Sequence, residues 1–359
     1  MKQNLTLVET GSFTLPEDIL LFDLVEAGGD FWGWEIRGEK RALSIVKLDP
    51  NTGEVTPIWS GGHDLRAHKQ HLWWSDKDGV VRADVANMTP TRFGLAAPPR
   101  RLTAVDGGAL LGWSDHDDPE QESQVAFLDT GGNLVWSRTL PARSELVRII
   151  SAGSERCLAV CRDRYGIGAS YLLDTRTGAI VYESDRGPHG DCLGLTDGSA
   201  LIGYQGYDYF HTIHVSREGK QVDRWSSHGL SWMTEEGRLL AVEMRNSQEP
   251  MHLVEWKSGG EVIKGPKLSG YYTSELLAVE DGSRLFWRDR VLYRCRPDLG
   301  LDQLAFTPDT EKSKRPGVGT SARLAGSAPG QLVLIRDESA IRHGLAWARQ
   351  IVHVYEALI

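Results

Sequence analysis

Turns built on glycine return along this chain at a nearly constant interval, and no other feature restricts its fold as strongly. The stretch Phe127 to Pro141, FLDTGGNLVWSRTLP, reads as strand, tight turn, strand. Its centre, Thr130-Gly131-Gly132-Asn133, accepts the positive φ angles that a short hairpin turn needs. Variants follow at Asp174-Thr175-Arg176-Thr177-Gly178, Arg217-Glu218-Gly219, Lys257-Ser258-Gly259-Gly260 and Asp298-Leu299-Gly300, and one precedes at Asp49-Pro50-Asn51-Thr52-Gly53. From Gly131 the steps to Gly178, Gly219, Gly259 and Gly300 are 47, 41, 40 and 41 residues. Gly53 lies 78 residues before Gly131, or two steps, so a weaker copy is expected near Ala86 to Pro90.

A second series runs out of phase with the first: Gly28-Gly29, His68-Lys69, Asp106-Gly107-Gly108, Gly153-Ser154, Asp197-Gly198-Ser199, Glu236-Gly237, Asp281-Gly282-Ser283 and Pro329-Gly330, about 43 residues apart. The His68-Lys69 copy alone lacks glycine. Short apolar runs flank these turns, and no helical periodicity is sustained. Two hairpins per interval means four strands per unit, the signature of a β-propeller blade. With the strands lettered A to D in chain order, the third unit reads A near Leu102–Val105, B near Ala109–Ser114, C near Gln124–Asp129 and D near Asn133–Thr139. The last unit supplies A near Arg323–Ala325, B near Gln331–Arg336 and C near Gln350–Tyr355, and then the chain ends. The strand-like run Leu5 to Glu9 precedes the first A strand, Ile19–Val25, and can complete that last blade. The expectation is an all-β chain forming one domain over residues 1–359, an eight-bladed propeller closed by its N-terminal strand. Seven blades is the alternative if the unit from His63 to Ala97 is incomplete.

The C–D hairpins resemble the repeats of the PQQ-type, quinoprotein-like propellers, within the wider group of WD40-like repeat folds. The pattern is an apolar residue, Asp, a Thr-Gly turn, and an aromatic four residues after the last glycine. Asp174, Thr177, Gly178 and Tyr182 match it, as do Asp129, Gly132 and Trp136 with a turn one residue shorter. Trp59 and Trp225 each stand six residues past their glycines, and the sixth repeat has Lys264 where an aromatic is expected. Family enzymes that use the quinone are exported and carry an adjacent cysteine pair and a calcium site. Here there is no Cys-Cys pair, so the resemblance implies the scaffold and no cofactor.

Charge and composition exclude some functions. The formal net charge is −9, against the basic surface a nucleic-acid binder needs. No stretch approaches the roughly 20 apolar residues of a membrane helix. The start, MKQNLTLVET, has no apolar run behind a basic head, so a cytoplasmic, monomeric protein with free thiols is expected. Cys157 and Cys161 share one face of a B strand about 13 Å apart, too far for a disulfide, and read as core thiols. Most of the 12 tryptophans fall on B and D strands, where wide aromatics fill the wedge between diverging blades.

No serine elbow, phosphate loop or two-histidine zinc helix is present. Chemistry is expected instead on the face carrying the D–A and B–C connections, which are long and varied where the A–B and C–D turns are tight. They hold Arg37, Lys40, Arg41, Asp115, His116, Arg162, Arg164, Tyr165, Tyr207, Tyr271 and Tyr272. The loop Arg162 to Tyr165 has the Arg and Tyr anchors favoured at protein interfaces. Loop Ser114 to Ser123 adds Asp117, Asp118, Glu120 and Glu122, without the spacing of a calcium loop. A polar insertion runs from Thr307 to Thr320, and Glu338–His343 reads as a short helix before Trp347. The leading expectation is a non-enzymatic binder of another protein, basic in character, such as a bacterial immunity or accessory protein that blocks its partner's active site. The alternative is an enzyme, or a metal or small-ligand site, with His63, His189 and His228 converging from three D–A loops.

Overall fold

The computed structural model describes residues 5–38, 42–114, 122–141, 145–162, 168–184, 192–205, 210–226, 228–244, 251–268, 276–288, 291–306, 322–327, 329–342 and 345–358. Eight four-stranded antiparallel sheets account for nearly all of them. In chain order the blades are Ile19–Ala27, Asp30–Arg37, Ala42–Leu48, Val55–Ser60; His63–His68, His71–Asp76, Gly79–Asp84, Pro90–Gly94; Arg101–Val105, Gly108–Trp113, Gln124–Asp129, Leu134–Thr139; and Glu145–Ala152, Arg156–Arg162, Gly168–Asp174, Ile180–Glu183. They continue with Cys192–Gly194, Ala200–Gln205, Phe210–Val215, Gln221–Trp225; His228–Met233, Leu239–Met244, Met251–Trp256, Val262–Leu268; Leu277–Ala278, Arg284–Arg288, Val291–Cys295, Leu301–Phe306; and Ala322–Gly326, Gly330–Arg342, Leu345–Leu358 with Thr6–Thr14. The eighth sheet runs in the order fourth to first Thr6–Thr14, Leu345–Leu358, Gly330–Arg342, Ala322–Gly326. The fold is therefore an all-β, eight-bladed propeller closed by its N-terminal strand. The second blade is complete, and its glycine-free A–B turn is made by Lys69 at φ 54. Its C–D turn falls where the weaker copy was expected, with Met88 at φ 46. Among the described residues the one helical element is a 3-10 turn, Ser258–Gly260, and no helix is long and apolar enough to cross a membrane.

Two compact units emerge: Met1–Leu72 with Asp84–Met88 and Leu268–Ile359, and Trp73–Ala83 with Thr89–Lys267. In the first, Thr6–Thr14 pairs with the last strand from Thr6 opposite Leu358 to Thr14 opposite Ile351, with a bulge at Glu9–Gly11. Buried Gln350 ties this blade to the first by accepting from Leu21 N at 2.7 Å and donating to Leu21 O at 3.0 Å. Leu21, Phe31, Val46, Val333, Val352 and Val354 form its apolar centre. One sequence expectation fails here. Glu338–Arg342 is not helical, because the hairpin stays paired out to Arg342 opposite Leu345, and Trp347 lies within the final strand. A helix of one turn has an unfavourable nucleus, whereas the ladder offers each residue a backbone partner. The Thr307 to Thr320 insertion lies outside the described residues.

In the second unit the repeat motif acquires a physical meaning. Asp174 Oδ1 accepts from Thr177 N and Thr177 Oγ1, each at 2.9 Å, and so closes the C–D turn. Asp129 does the same through Gly131 N at 2.9 Å and Asn133 N at 2.8 Å. Each turn glycine then receives the outer strand of the preceding blade: Phe93 meets Gly132, Trp136 meets Gly178, and Val181 with Tyr182 meets Gly219. A Cβ on Gly178 would stand 2.6 Å from the Trp136 ring. The Trp136 indole donates to Thr175 O at 2.7 Å, and the Trp225 indole to Lys257 O at 2.7 Å. The aromatic after the turn is thus the latch to the next blade. Phe13 and Gly53 repeat the contact in the first unit.

Candidate functional site

An open groove of about 820 Å³ lies beside the third blade in the second unit. One wall is the connection from the second blade, Leu95 to Arg100. It is held at three points: Leu95 N donates to Asp78 O at 3.2 Å, the Trp113 indole to Ala97 O at 2.9 Å, and Arg100 N to Gly112 O at 2.8 Å. Pro98 and Pro99 lower the entropy that this ordering costs. The opposite wall is the third blade itself, through Trp113, Gln124, Leu134 and Ser137. Ser114 and Glu122 also line it. A volume in this range suits a side chain or small ligand.

Register explains which side chains face the groove. Phe127 pairs with Trp136 and Leu128 with Leu134, so Val135 is an extra, bulged residue. The bulge puts Leu134 and Ser137 on the groove side and sends Trp136 to the opposite face, where it latches onto Gly178. Leu134 is 49% and Val135 51% exposed, unusual for adjacent large apolar residues.

Of the residues expected at the site, Arg162 is the exposed last residue of its B strand. Arg37 ends the first blade's B strand and forms a two-point pair with the fully buried Glu35, at 3.0 and 3.1 Å. His63 opens the second blade's A strand and has a buried Nδ1 with no hydrogen-bond partner. His228 opens the sixth blade's A strand. Lys40, Arg41, Asp115, His116, Arg164, Tyr165, His189, Tyr207, Tyr271 and Tyr272 lie outside the described residues. Among the described residues, no group of three or more His, Cys, Asp or Glu could hold a metal ion. All four cysteines are buried and outside any disulfide, and burial pushes Cys157 and Cys295 up to about 12, which leaves both as thiols at neutral pH.

Two polar clusters invite a catalytic reading, and geometry assigns both to structure. Ser199 Oγ donates to Asp197 Oδ1 at 2.6 Å, and His214 Nε2 lies 3.0 Å from the same hydroxyl. In a nucleophile triad the carboxylate orients the histidine, and the histidine faces the serine. Here the serine sits between them, is 2% exposed, and belongs to an A–B turn. The seventh blade builds the same turn from Asp281 and Ser283 with Arg294 in the histidine's place. In the other unit Arg66 bridges Asp23 at 3.1 Å and Asp64 at 2.7 Å, while the Trp34 indole donates to Asp23 at 2.8 Å. Both aspartates hold left-handed backbones, with φ 41 and 52. Their charges are directed at that shared guanidinium.

Sequence reasoning missed the groove. Its signals were the apolar, proline-bearing run Leu95-Ala96-Ala97-Pro98-Pro99 and the doublet Leu134-Val135 on a strand expected to be outermost.

Repeated four-stranded meanders latched by aromatic–glycine contacts define a PQQ/WD40-like β-propeller. Solved structures share this architecture. BamB from Moraxella catarrhalis superposes with a TM-score of 0.55 at 12% identity, over 98% of this chain and 100% of its own. A chain of the Mitotic Checkpoint Complex gives 0.52 at 12% identity, over 84% and 95%. An acylaminoacyl peptidase bound to a Z-Gly-Gly-Phe-chloromethyl ketone gives 0.51 at 13% identity, over 92% of this chain and 60% of that one. At such identities these likenesses show the fold alone. No protein-family model matches the sequence, and no curated protein matches it.

Proposed function

We propose that this protein is a non-catalytic propeller that binds another protein through the groove beside its third blade. The observation that carries the reading is the pre-formed, largely apolar groove, pinned by three hydrogen bonds and lined by the exposed Leu134. Rigid walls lower the ordering cost of association. A propeller of this fold within the Mitotic Checkpoint Complex belongs to a protein assembly, which supports the same kind of role. The net charge of −9 suits a basic partner, and an accessory or immunity-type protein that covers such a partner's active site fits both features.

Affinity capture from a lysate of the source cells tests this. The wild type should recover a stoichiometric protein partner, and Leu134→Asp or Ala97→Arg should lose it while the fold is retained. Capture of no partner, or retention by both variants, would overturn the reading. The buried, unpartnered Nδ1 of His63 favours a second reading, a metal or small-ligand site that uses His63. Zinc titration of the wild type against His63→Ala separates it: equal heats sink that alternative.

A further inference from the structure

The geometry points to His214 as an acid-sensitive switch in the seam between the fifth and sixth blades: its protonation draws the Asp223 carboxylate off the Gly259 amide and opens that seam. The device is independent of the groove and of any partner.

Register singles out this seam. In several C–D ladders a residue pair stands just before the bulge of the outer strand. In the first, third and fourth blades it is Ile45–Trp59, Phe127–Trp136 and Leu172–Tyr182, an apolar residue opposite an aromatic. In the fifth blade it is His214–Asp223, two titratable groups. The exchange alters how the blade is latched. Where the Trp136 ring covers Gly178 of the following turn, Asp223 Oδ1 instead accepts from Gly259 N at 2.7 Å. Two residues on, the Trp225 indole donates to Lys257 O of the same turn. The Trp225 ring stacks with His214, centroids 6.4 Å apart, and with Trp256 of the sixth blade at 5.2 Å. The half-buried imidazole therefore lies against the latch itself.

The proton has a defined place to go. Ser199 Oγ donates to Asp197 Oδ1 at 2.6 Å, so the same oxygen accepts from His214 Nε2–H at 3.0 Å. The neutral ring then keeps its lone pair on Nδ1, which has no hydrogen-bond partner among the described residues. Acid adds a donor there. Residues paired across a ladder hold their Cβ atoms about 5 Å apart, which brings Asp223 within reach of that donor. Asp223 then faces two competitors, the neutral Gly259 amide and a charged imidazolium, and a charge-assisted hydrogen bond is roughly twice as strong as a neutral one. The other charges around the ring are engaged. Ser199 stands between it and Asp197, Arg217 pairs with Glu218, and Lys257 pairs with Glu255. Burial holds the His214 pKa below the ordinary 6.5, with Asp197 and Asp223 opposing. Opening the seam wets the ring, so the open form binds the proton better and acid shifts the population toward it. The closed seam is thus fully favoured above the unfolded value and is lost as pH falls toward the folded one.

Amide hydrogen exchange of the full chain, corrected for intrinsic rates, reads the seam at Gly259. Gly178, whose N–H donates to Asp174 O in the corresponding turn of the fourth blade, is the control. One linked proton allows at most about ten-fold per pH unit, so between about pH 7.5 and about 5.5 wild-type Gly259 should lose roughly ten-fold in protection while Gly178 keeps its own. His214→Gln cannot take the charge, and its Gly259 protection should not follow pH. Asp223→Asn keeps an acceptor for Gly259 without the attraction to an imidazolium, and should shrink the loss. Protection of wild-type Gly259 that ignores pH, an equal loss in His214→Gln, or a parallel loss at Gly178 would overturn the switch. Should His214→Gln not fold, an undiminished loss in Asp223→Asn overturns it as well.

Discussion

Gly178 and Gly237 both hold positive φ, 68 and 77, but differ in their surroundings. A Cβ at Gly237 meets nothing within 4 Å, whereas one at Gly178 meets the Trp136 ring. Gly237→Ala should therefore cost about 1 kcal/mol, the backbone strain alone. Gly178→Ala should cost a further 1 to 3 kcal/mol, roughly, because the latch must shift. Urea unfolding of the two variants measures the difference, and equal losses would mean the aromatic–glycine contact is not close-packed. His214 provides a second residue-scale test. Burial lowers its pKa below the usual 6.5, with Asp197 and Asp223 opposing. The folded state then resists protonation, so stability is complete above the unfolded value and falls as pH drops below it toward the folded one. His214→Gln should flatten the loss of Tm as pH falls below about 6.5. Glu255 acts at lower pH. Hydrogen bonding from Arg238 leads in holding it at about 2, so its contribution persists above 4.5 and fades between 4.5 and about 2. Arg37, expected from sequence to meet a partner, compensates Glu35 inside the first blade. Arg37→Ala should lower stability by about 1 to 3 kcal/mol, because it leaves a buried carboxylate unpaired.

Strand Thr6–Thr14 shows what one element contributes. It covers the edge of Leu345–Leu358, and its Phe13 packs against Gly53 of the first blade. Deleting residues 1–14 should bare a 14-residue strand and remove that latch together. Loss of cooperative unfolding and concentration-dependent aggregation are expected, measured by calorimetry and light scattering. A truncated chain that melts like the full one would show that closure does not support the fold. This element is legible in the sequence, because the last unit lacks a fourth strand and the run Leu5 to Glu9 reads as one. The Glu338–Arg342 stretch is not legible there. Its local sequence permits one helical turn, and only pairing with a strand beyond the next turn decides against it.

At the scale of the molecule, a charge of −9 should make association with a basic partner electrostatically steered. Raising salt from about 50 to about 500 mM should slow kon by roughly ten-fold while leaving koff little changed. A salt-independent kon would remove the basic-partner reading. The sequence by itself determined the architecture: turns recurring about 43 residues apart dictate four strands per unit, and such units cannot bury their faces except against one another. It also marked the turn aspartates and glycines, since those turns are local. Only the tertiary structure decided the site. The groove joins Leu95–Pro98 to Leu134 and Ser137, residues about 40 apart in sequence, and their facing depends on a bulge at Val135 that shifts every later side chain by one. It also showed that the repeat's aromatic latches the next blade, which periodicity counts but cannot orient. Side-chain direction in a strand alternates at each residue, so one unpaired residue redirects the surface while the repeat stays intact.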